Sequence, residues 1–271
     1  MMSPNMQQIM KDALDAQRVT ALVTITTHSE WAYMGKKYLV WEDGSFYYEP
    51  PEKEGFSISL IGMCQELIRK RKTRCIRFQS DGEEVECFVE VLIPRPRLII
   101  AGAGHVCEPV VQMASLLGYH ITVIDDRFEF ATESRFPLAN EVICDSYLNY
   151  FRTCQITGNT WILLLTRGHQ FDVISLQELL KRNDTPAYIG MIGSRRRIAG
   201  VFESLKEEFG DASFDHIYTP VGLDIGAETP AEIAVSILAE MLKVKNTKSG
   251  HSLSQDIRQL AKLGFRGGKS G

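Results

Sequence analysis

The sequence predicts an α/β protein: a doubly wound, Rossmann-like parallel sheet over residues 98–245, preceded by a smaller α+β domain over residues 1–93. Three observations carry this reading. The apolar run Arg97-Leu-Ile-Ile-Ala101 leads into Gly102-Ala-Gly104 and then a helical pattern, the strand–turn–helix of a phosphate-binding βα unit. Short apolar runs at residues 98–101, 121–124, 141–144, 161–165, 187–192 and 216–219 alternate with helical segments, which calls for parallel strands joined by right-handed crossovers. Pro94-Arg-Pro-Arg97 separates this pattern from a different one upstream, and its two prolines cannot donate ladder hydrogen bonds, so residues 94–97 read as a linker.

Along the chain, Ser3-Pro4 is a cap followed by proline at the first helical position, and Met6, Ile9, Met10, Ala13 and Leu14 repeat at helical spacing. Residues 19–27 and 37–41 read as strands, and Asp43-Gly44 turns the chain into a hairpin partner at Phe46-Tyr-Tyr48. Pro50-Pro-Glu-Lys-Glu-Gly55 reads as a loop. Residues 58–71 are helical, with Leu60, Ile61, Cys64, Leu67 and Ile68 on one face, and residues 75–78 and 85–92 form a second hairpin around Ser80-Asp-Gly82. The last helix is marked by Thr229-Pro-Ala-Glu232, which combines an N-cap, a first-position proline and a capping-box glutamate. Residues 246–271 read as a basic, mostly mobile tail with a short helix near residues 255–262.

Composition narrows the function classes. With 271 residues, 44% of them hydrophobic and 24% charged, the chain has room for two cores. A formal net charge of -4 argues against nucleic acid as the main partner. Its longest apolar stretch, Trp161-Ile-Leu-Leu-Leu165, has strand length rather than membrane-spanning length, and no secretory signal opens the chain, so a cytoplasmic protein without membrane contact is expected. The six cysteines are scattered, with no CxxC pair and no Cys/His metal spacing; no metal site is expected, and Cys64 falls on an apolar helix face.

In an open parallel sheet, ligands bind beyond the carboxyl ends of the strands. Gly102 allows the tight turn, Gly104 lets backbone approach a pyrophosphate, and a helix starting near His105 aims free N–H groups at the anion. His105 serves either the ligand or the helix cap. Asp125, at the end of the second strand, stands where an acidic side chain meets ribose hydroxyls, followed by Asp126 and Arg127. The loop Thr166-Arg-Gly-His-Gln-Phe-Asp172 puts Arg167, His169 and Asp172 at the same edge, with a structural His169–Asp172 hydrogen bond as the other reading. Gly193, Ser194 and Arg195 could hold a second anion at a helix start, although Arg195 to Arg197 also reads as a solvated face. Asp224 is a further candidate, or serves only nearby backbone donors. Cys107 at the third glycine position departs from standard NAD geometry, and Pro109 lies early in the helix, where beyond the first turn it would remove a backbone bond. No nucleophile–base pair or catalytic residue is legible.

Several of these segments together resemble the xanthine dehydrogenase accessory factor family, also called the XdhC/CoxI family. They are Gly102-Ala-Gly-His-Val106, Leu117-Gly118, Val123-Ile-Asp-Asp-Arg127, Tyr188-Ile-Gly-Met-Ile-Gly-Ser-Arg-Arg196, Pro220-Val-Gly-Leu-Asp-Ile-Gly-Ala-Glu-Thr-Pro-Ala-Glu-Ile-Ala234 and Ser236-Ile-Leu-Ala-Glu240. Thr166 to Asp172 is similar to the family's histidine-containing loop, with Arg167 where a histidine is usual. Upstream, Lys36-Lys-Tyr-Leu-Val-Trp-Glu-Asp-Gly44 resembles the family's strand and turn, but the glycine-rich segment ending in cysteine that typically follows is replaced by Gly44-Ser-Phe-Tyr-Tyr-Glu-Pro-Pro51. The resemblance implies an accessory protein that binds molybdenum cofactor, as molybdopterin or its dinucleotide form, and delivers it to a xanthine dehydrogenase-type apoenzyme. A sulfurating enzyme as a second partner and a homodimer as the assembly are further expectations. From the glycine turn and Asp125 alone, an NAD(P)-dependent oxidoreductase is the alternative.

Overall fold

The computed structural model describes residues 2–49, 58–80, 82–210, 214 and 216–254, apart from the side chains of Ser80 and Arg195. The loop expected at residues 50–55, the Asp81 position of the hairpin turn and the helix expected at residues 255–262 lie outside the described residues. The chain divides into two compact units between Arg95 and Pro96, and no strand is shared between their sheets.

In the first unit, α1 (Pro4–Asp15) starts where the Ser3 hydroxyl accepts the Met6 N–H, with Pro4 in the first turn. The strands β1 (Thr20–Thr27), β2 (Lys37–Trp41) and β3 (Phe46–Tyr48) precede α2 (Ile58–Lys70), and β4 (Arg74–Ser80) and β5 (Glu83–Leu92) close an antiparallel sheet of order β3-β2-β1-β5-β4. Alternation along β1 divides the core. Ala21, Val23 and Ile25 join Leu60, Cys64, Leu67 and Ile68 of α2 on one face, while Leu22 meets Met6 and Ala13 of α1 on the other.

Cys64 is wholly buried, and burial pushes its thiol up to about 12. Its neighbours in the cluster are apolar, so Cys64→Ser is expected to cost roughly 1–3 kcal/mol by burying a hydroxyl without a partner. A lower melting temperature checks this; an unchanged one would mean that the hydroxyl finds an acceptor.

The second unit alternates strands and helices: β6 (Arg97–Ala101), α3 (Cys107–Leu116), β7 (His120–Asp125), β8 (Glu141–Cys144), α4 (Tyr147–Thr153), β9 (Thr160–Leu164), α5 (His169–Leu180), β10 (Tyr188–Met191), α6 (Arg195–Phe209), β11 (Ile217–Tyr218) and α7 (Pro230–Lys245). All six strands are parallel, in the order β11-β10-β9-β6-β7-β8. This is the doubly wound order, with the switch point between β6 and β9. Both faces are covered, so the strands read as continuous apolar runs. Leu98, Ile100, Trp161 and Leu163 face α3 and α7, whereas Ile99, Ala101, Ile162 and Leu164 face α4, α5 and α6. The capping box at α7 forms as expected, with Thr229 and Glu232 each bonding the other's backbone. Pro109 lies in the first turn of α3, where its missing N–H had no intrahelical partner to lose. Among the described residues, no helix is long and apolar enough to cross a membrane.

Candidate functional site

Beyond Ala101 the chain turns at Gly102, with φ +112°, and presses against the end of β9. A Cβ on Gly102 would stand 2.3 Å from the Leu165 carbonyl oxygen. The turn is pinned on both sides: the Gly102 N–H donates to the Ile124 carbonyl at 2.8 Å, and the Leu165 N–H to that of Ala101 at 2.8 Å. Gly104 serves a different purpose, because a Cβ there would meet nothing within 4 Å. Its open side is available to a ligand. The N–H groups of Gly104, His105 and Val106 have no acceptor among the described residues. The helix starts two residues later than His105, and no side chain caps it; His105 is exposed and does not act as the cap. Cys107, at the third glycine position, is buried in the core between α3 and the sheet. Arg135 supports the turn from behind, donating to the Ala103 and Phe130 carbonyls at 3.1 Å each and pairing with Glu108.

Asp125 does not reach outward as a ribose ligand would. Its side chain is wholly buried, and both oxygens are engaged: it accepts from the Ala103 N–H at 2.8 Å, the Arg127 N–H at 3.1 Å, and Arg127 Nε and Nη2 at 2.8 and 2.9 Å. Burial works against its charge, but the Arg127 and Ala103 bonds outweigh burial and hold the carboxyl below the ordinary carboxylate range. Arg127 is therefore committed to Asp125, with its guanidinium also 3.6 Å above the Phe130 ring. A depressed folded-state pKa means stability that is complete above the unfolded value, about 3.9, and lost as pH falls through the folded one. The difference in unfolding free energy between wild type and Asp125→Asn should hold steady from neutral pH to about 5 and shrink below about 4. A difference that grows on acidification would contradict the assigned direction.

After β9, Thr166, Asp172 and Arg197 form a buried network. The Thr166 hydroxyl donates to Asp172 Oδ1 at 2.6 Å, and Arg197 donates through Nε to Asp172 Oδ2 at 2.8 Å. Arg197 Nη2 bonds the same carboxylate, the Thr166 carbonyl at 2.9 Å and its hydroxyl at 3.0 Å. Asp172 is wholly buried, and burial pushes its carboxyl above the ordinary range against the pull of Thr166 and Arg197. The His169–Asp172 hydrogen bond, the alternative reading of this loop, does not form; Asp172 is held by Thr166 and Arg197. His169 is exposed at the start of α5, while Asp172 points inward. Ser194 is the N-cap of α6, accepting the Arg197 N–H at 3.4 Å, and Gly193 lies over the Arg197 stem. The side chain of Arg195 lies outside the described residues. Arg197, from the stretch read as a solvated face, turns inward instead.

Two cavities open at this edge. One of about 270 Å³ lies at the switch point, lined by the glycine turn from Gly104 to Cys107 with Leu165, Thr166, Ile192, Gly193 and Arg197. The other, of about 330 Å³, is lined by His169, Ser194, Arg196, Arg197 and Gly200. Asp224 lines neither; it is exposed in the loop before α7. That loop is anchored by its neighbours, since the Gly222 N–H and the Tyr188 hydroxyl both donate to buried Glu240, at 2.9 and 2.6 Å.

Residues 98–241, which hold this sheet and the glycine turn, match the family model described as the XdhC Rossmann domain. The chain belongs to the XdhC family. It is 34% identical over 171 residues to the uncharacterized protein YqeB of Escherichia coli K12, covering 62% of this chain and 31% of that protein. It is 33% identical over 176 residues to a probable xanthine dehydrogenase subunit of Bacillus subtilis 168, covering 65% of this chain and 51% of that one. The matches thus span about a third to a half of these relatives' length. A crystal structure described as a xanthine dehydrogenase from Bacillus halodurans shares the fold, with a TM-score of 0.52, 21% identity and coverage of 89% of this chain and 96% of that one.

Sequence reasoning placed the glycine turn and missed Thr166 and Arg197 as a pair. A signal existed for the fate of Asp125: arginine two residues after an acidic strand end can fold back on it, as Arg127 does. None existed for Arg197 and Asp172, which are 25 residues apart on different helices.

Proposed function

We propose that this chain is an accessory protein for a xanthine dehydrogenase-type molybdoenzyme, which binds molybdenum cofactor and delivers it to the apoenzyme. Family membership and the Bacillus subtilis relative, whose name ties it to xanthine dehydrogenase, support the accessory role. The observation that carries the binding half is the open side of Gly104, with unpaired N–H groups beside it at a switch-point cavity. Such a cradle fits the phosphate of the cofactor. Its metal end asks little of the protein, because molybdenum is held by the pterin's own sulfur atoms. Among the described residues, no group of three or more His, Cys, Asp or Glu side chains could hold a metal ion. When bound, the group supplies the molybdenum on which the client's redox chemistry depends. The chain's part is to hold the phosphate on the turn and keep that end in register.

The alternative, an NAD(P)-dependent oxidoreductase, has the same turn in its favour but loses its ribose ligand, since Asp125 is spent on Arg127 and Ala103. The test is activation. Chain purified from cells that make the cofactor should raise the activity of a cofactor-free xanthine dehydrogenase-type apoenzyme, and chain from cells blocked in cofactor synthesis should not. Equal activity from both preparations overturns the delivery role, and NADH turnover by the chain alone would favour the oxidoreductase.

A further inference from the structure

Arg197 stands between the two cavities and lines both. Its guanidinium is fixed along one edge, where Nε and Nη2 hold Asp172 and Thr166. Nη1 makes no hydrogen bond among the described residues, and the side chain keeps 22% of its surface exposed. A donor held in this way by a buried carboxylate needs no reordering when a ligand arrives. Around it, each cavity has its own donors. The switch-point cavity has the unpaired N–H groups of the glycine turn, and the other has exposed Arg196 and His169 beside the start of α5, which no side chain caps. At about 270 and 330 Å³, the cavities fall just below and just above the lower end of the usual range for ligand sites, roughly 300–1,000 Å³. A ligand that reached across Arg197 would have the room of both.

We propose that Arg197 is the shared wall of a two-part anion site, and that its ligand carries two linked anionic groups, one on the glycine turn and one beside His169 and Arg196. The ligand class is a phosphate chain or a phosphate ester with a second anionic group. This deepens the cofactor-binding reading and rests on it for the identity of the natural ligand. The site itself does not depend on that reading.

Calorimetry on the full chain tests it, with inorganic phosphate, pyrophosphate and tripolyphosphate as probes. Wild type should bind one of the two longer probes at least tenfold more tightly than phosphate. Arg196→Ala, at an exposed position, should abolish that preference and leave phosphate affinity within about twofold. Lys206→Ala, exposed farther along α6, should change nothing, which separates a local site from attraction between bulk charges. Arg197→Lys keeps the charge but loses the fork and should weaken the longer probes tenfold or more. A melting curve on the same sample reports any loss of fold, and Arg196→Ala does not depend on that result. Equal affinity for all three probes, no binding, or a preference that survives Arg196→Ala would overturn the two-part site. Pterin carried by a protein with no such preference would overturn it and leave the cofactor reading standing; the preference without pterin does the reverse.

Discussion

Gly102→Ala is expected to destabilise the Rossmann-like unit by about 3–5 kcal/mol, combining backbone strain with a steric clash. At φ +112° an L-residue is strained wherever it has room, and here it has none: its Cβ would lie 2.3 Å from the Leu165 carbonyl oxygen and 2.9 Å from the Thr166 nitrogen. Both neighbours are backbone, so relief requires the β6 turn to move away from β9 and break the Leu165–Ala101 hydrogen bond. For a unit of this size the loss corresponds to a drop of roughly 10 °C in its melting temperature. Gly104→Ala should be within about 0.5 kcal/mol of wild type, as an open position allows. Calorimetric melting of both variants decides the matter, and similar stabilities for the two would mean that the turn is not pressed on β9 as described.

Arg197→Met should cost about 3–5 kcal/mol, because it leaves the Asp172 carboxylate buried without its cation. Burial already raises the Asp172 carboxyl, and removing Arg197 raises it further. A raised folded-state pKa means that the cost of the charge is present above that value and vanishes below it as the group takes up a proton. The deficit of Arg197→Met relative to wild type should therefore shrink as pH falls from 7 toward 5. Denaturant unfolding at several pH values measures it. A deficit independent of pH would show that lost packing, not the stranded carboxylate, dominates.

These two sites differ in how legible they were. The glycine turn, the strand alternation and the Thr229–Glu232 box are local, so a few consecutive residues carry the whole signal, and the structure follows them closely. Where the structure departs from the sequence reading, at least one determinant lies outside the local strand or helix pattern. Asp125 looked available because the Ala103 N–H that it accepts is 22 residues away, although Arg127, two residues on, was a local sign that the carboxylate is consumed. For His169 and Asp172 the loop left two readings open, a mutual hydrogen bond or a ligand role. A helix beginning at His169 sends Asp172 into the core toward Thr166 and Arg197 and leaves His169 outside. Arg197 looked solvated as one of three consecutive arginines; the start of α6 at Ser194 decides which of them turns inward.

Co-purified pterin in wild type and in Gly104→Val is the most direct measurement of whether the glycine turn holds molybdenum cofactor. The valine side chain would project into the space that faces the ligand, where nothing of the protein lies within 4 Å of the Cβ. Both proteins are isolated from cells that make the cofactor, then denatured, oxidised and assayed for pterin fluorescence, with melting temperatures taken on the same preparations. Wild type should release pterin, and Gly104→Val at least tenfold less at a similar melting temperature, which corresponds to a loss of about 1.4 kcal/mol or more in binding. Equal pterin from the two proteins, or none from wild type, would contradict a cofactor held on this turn.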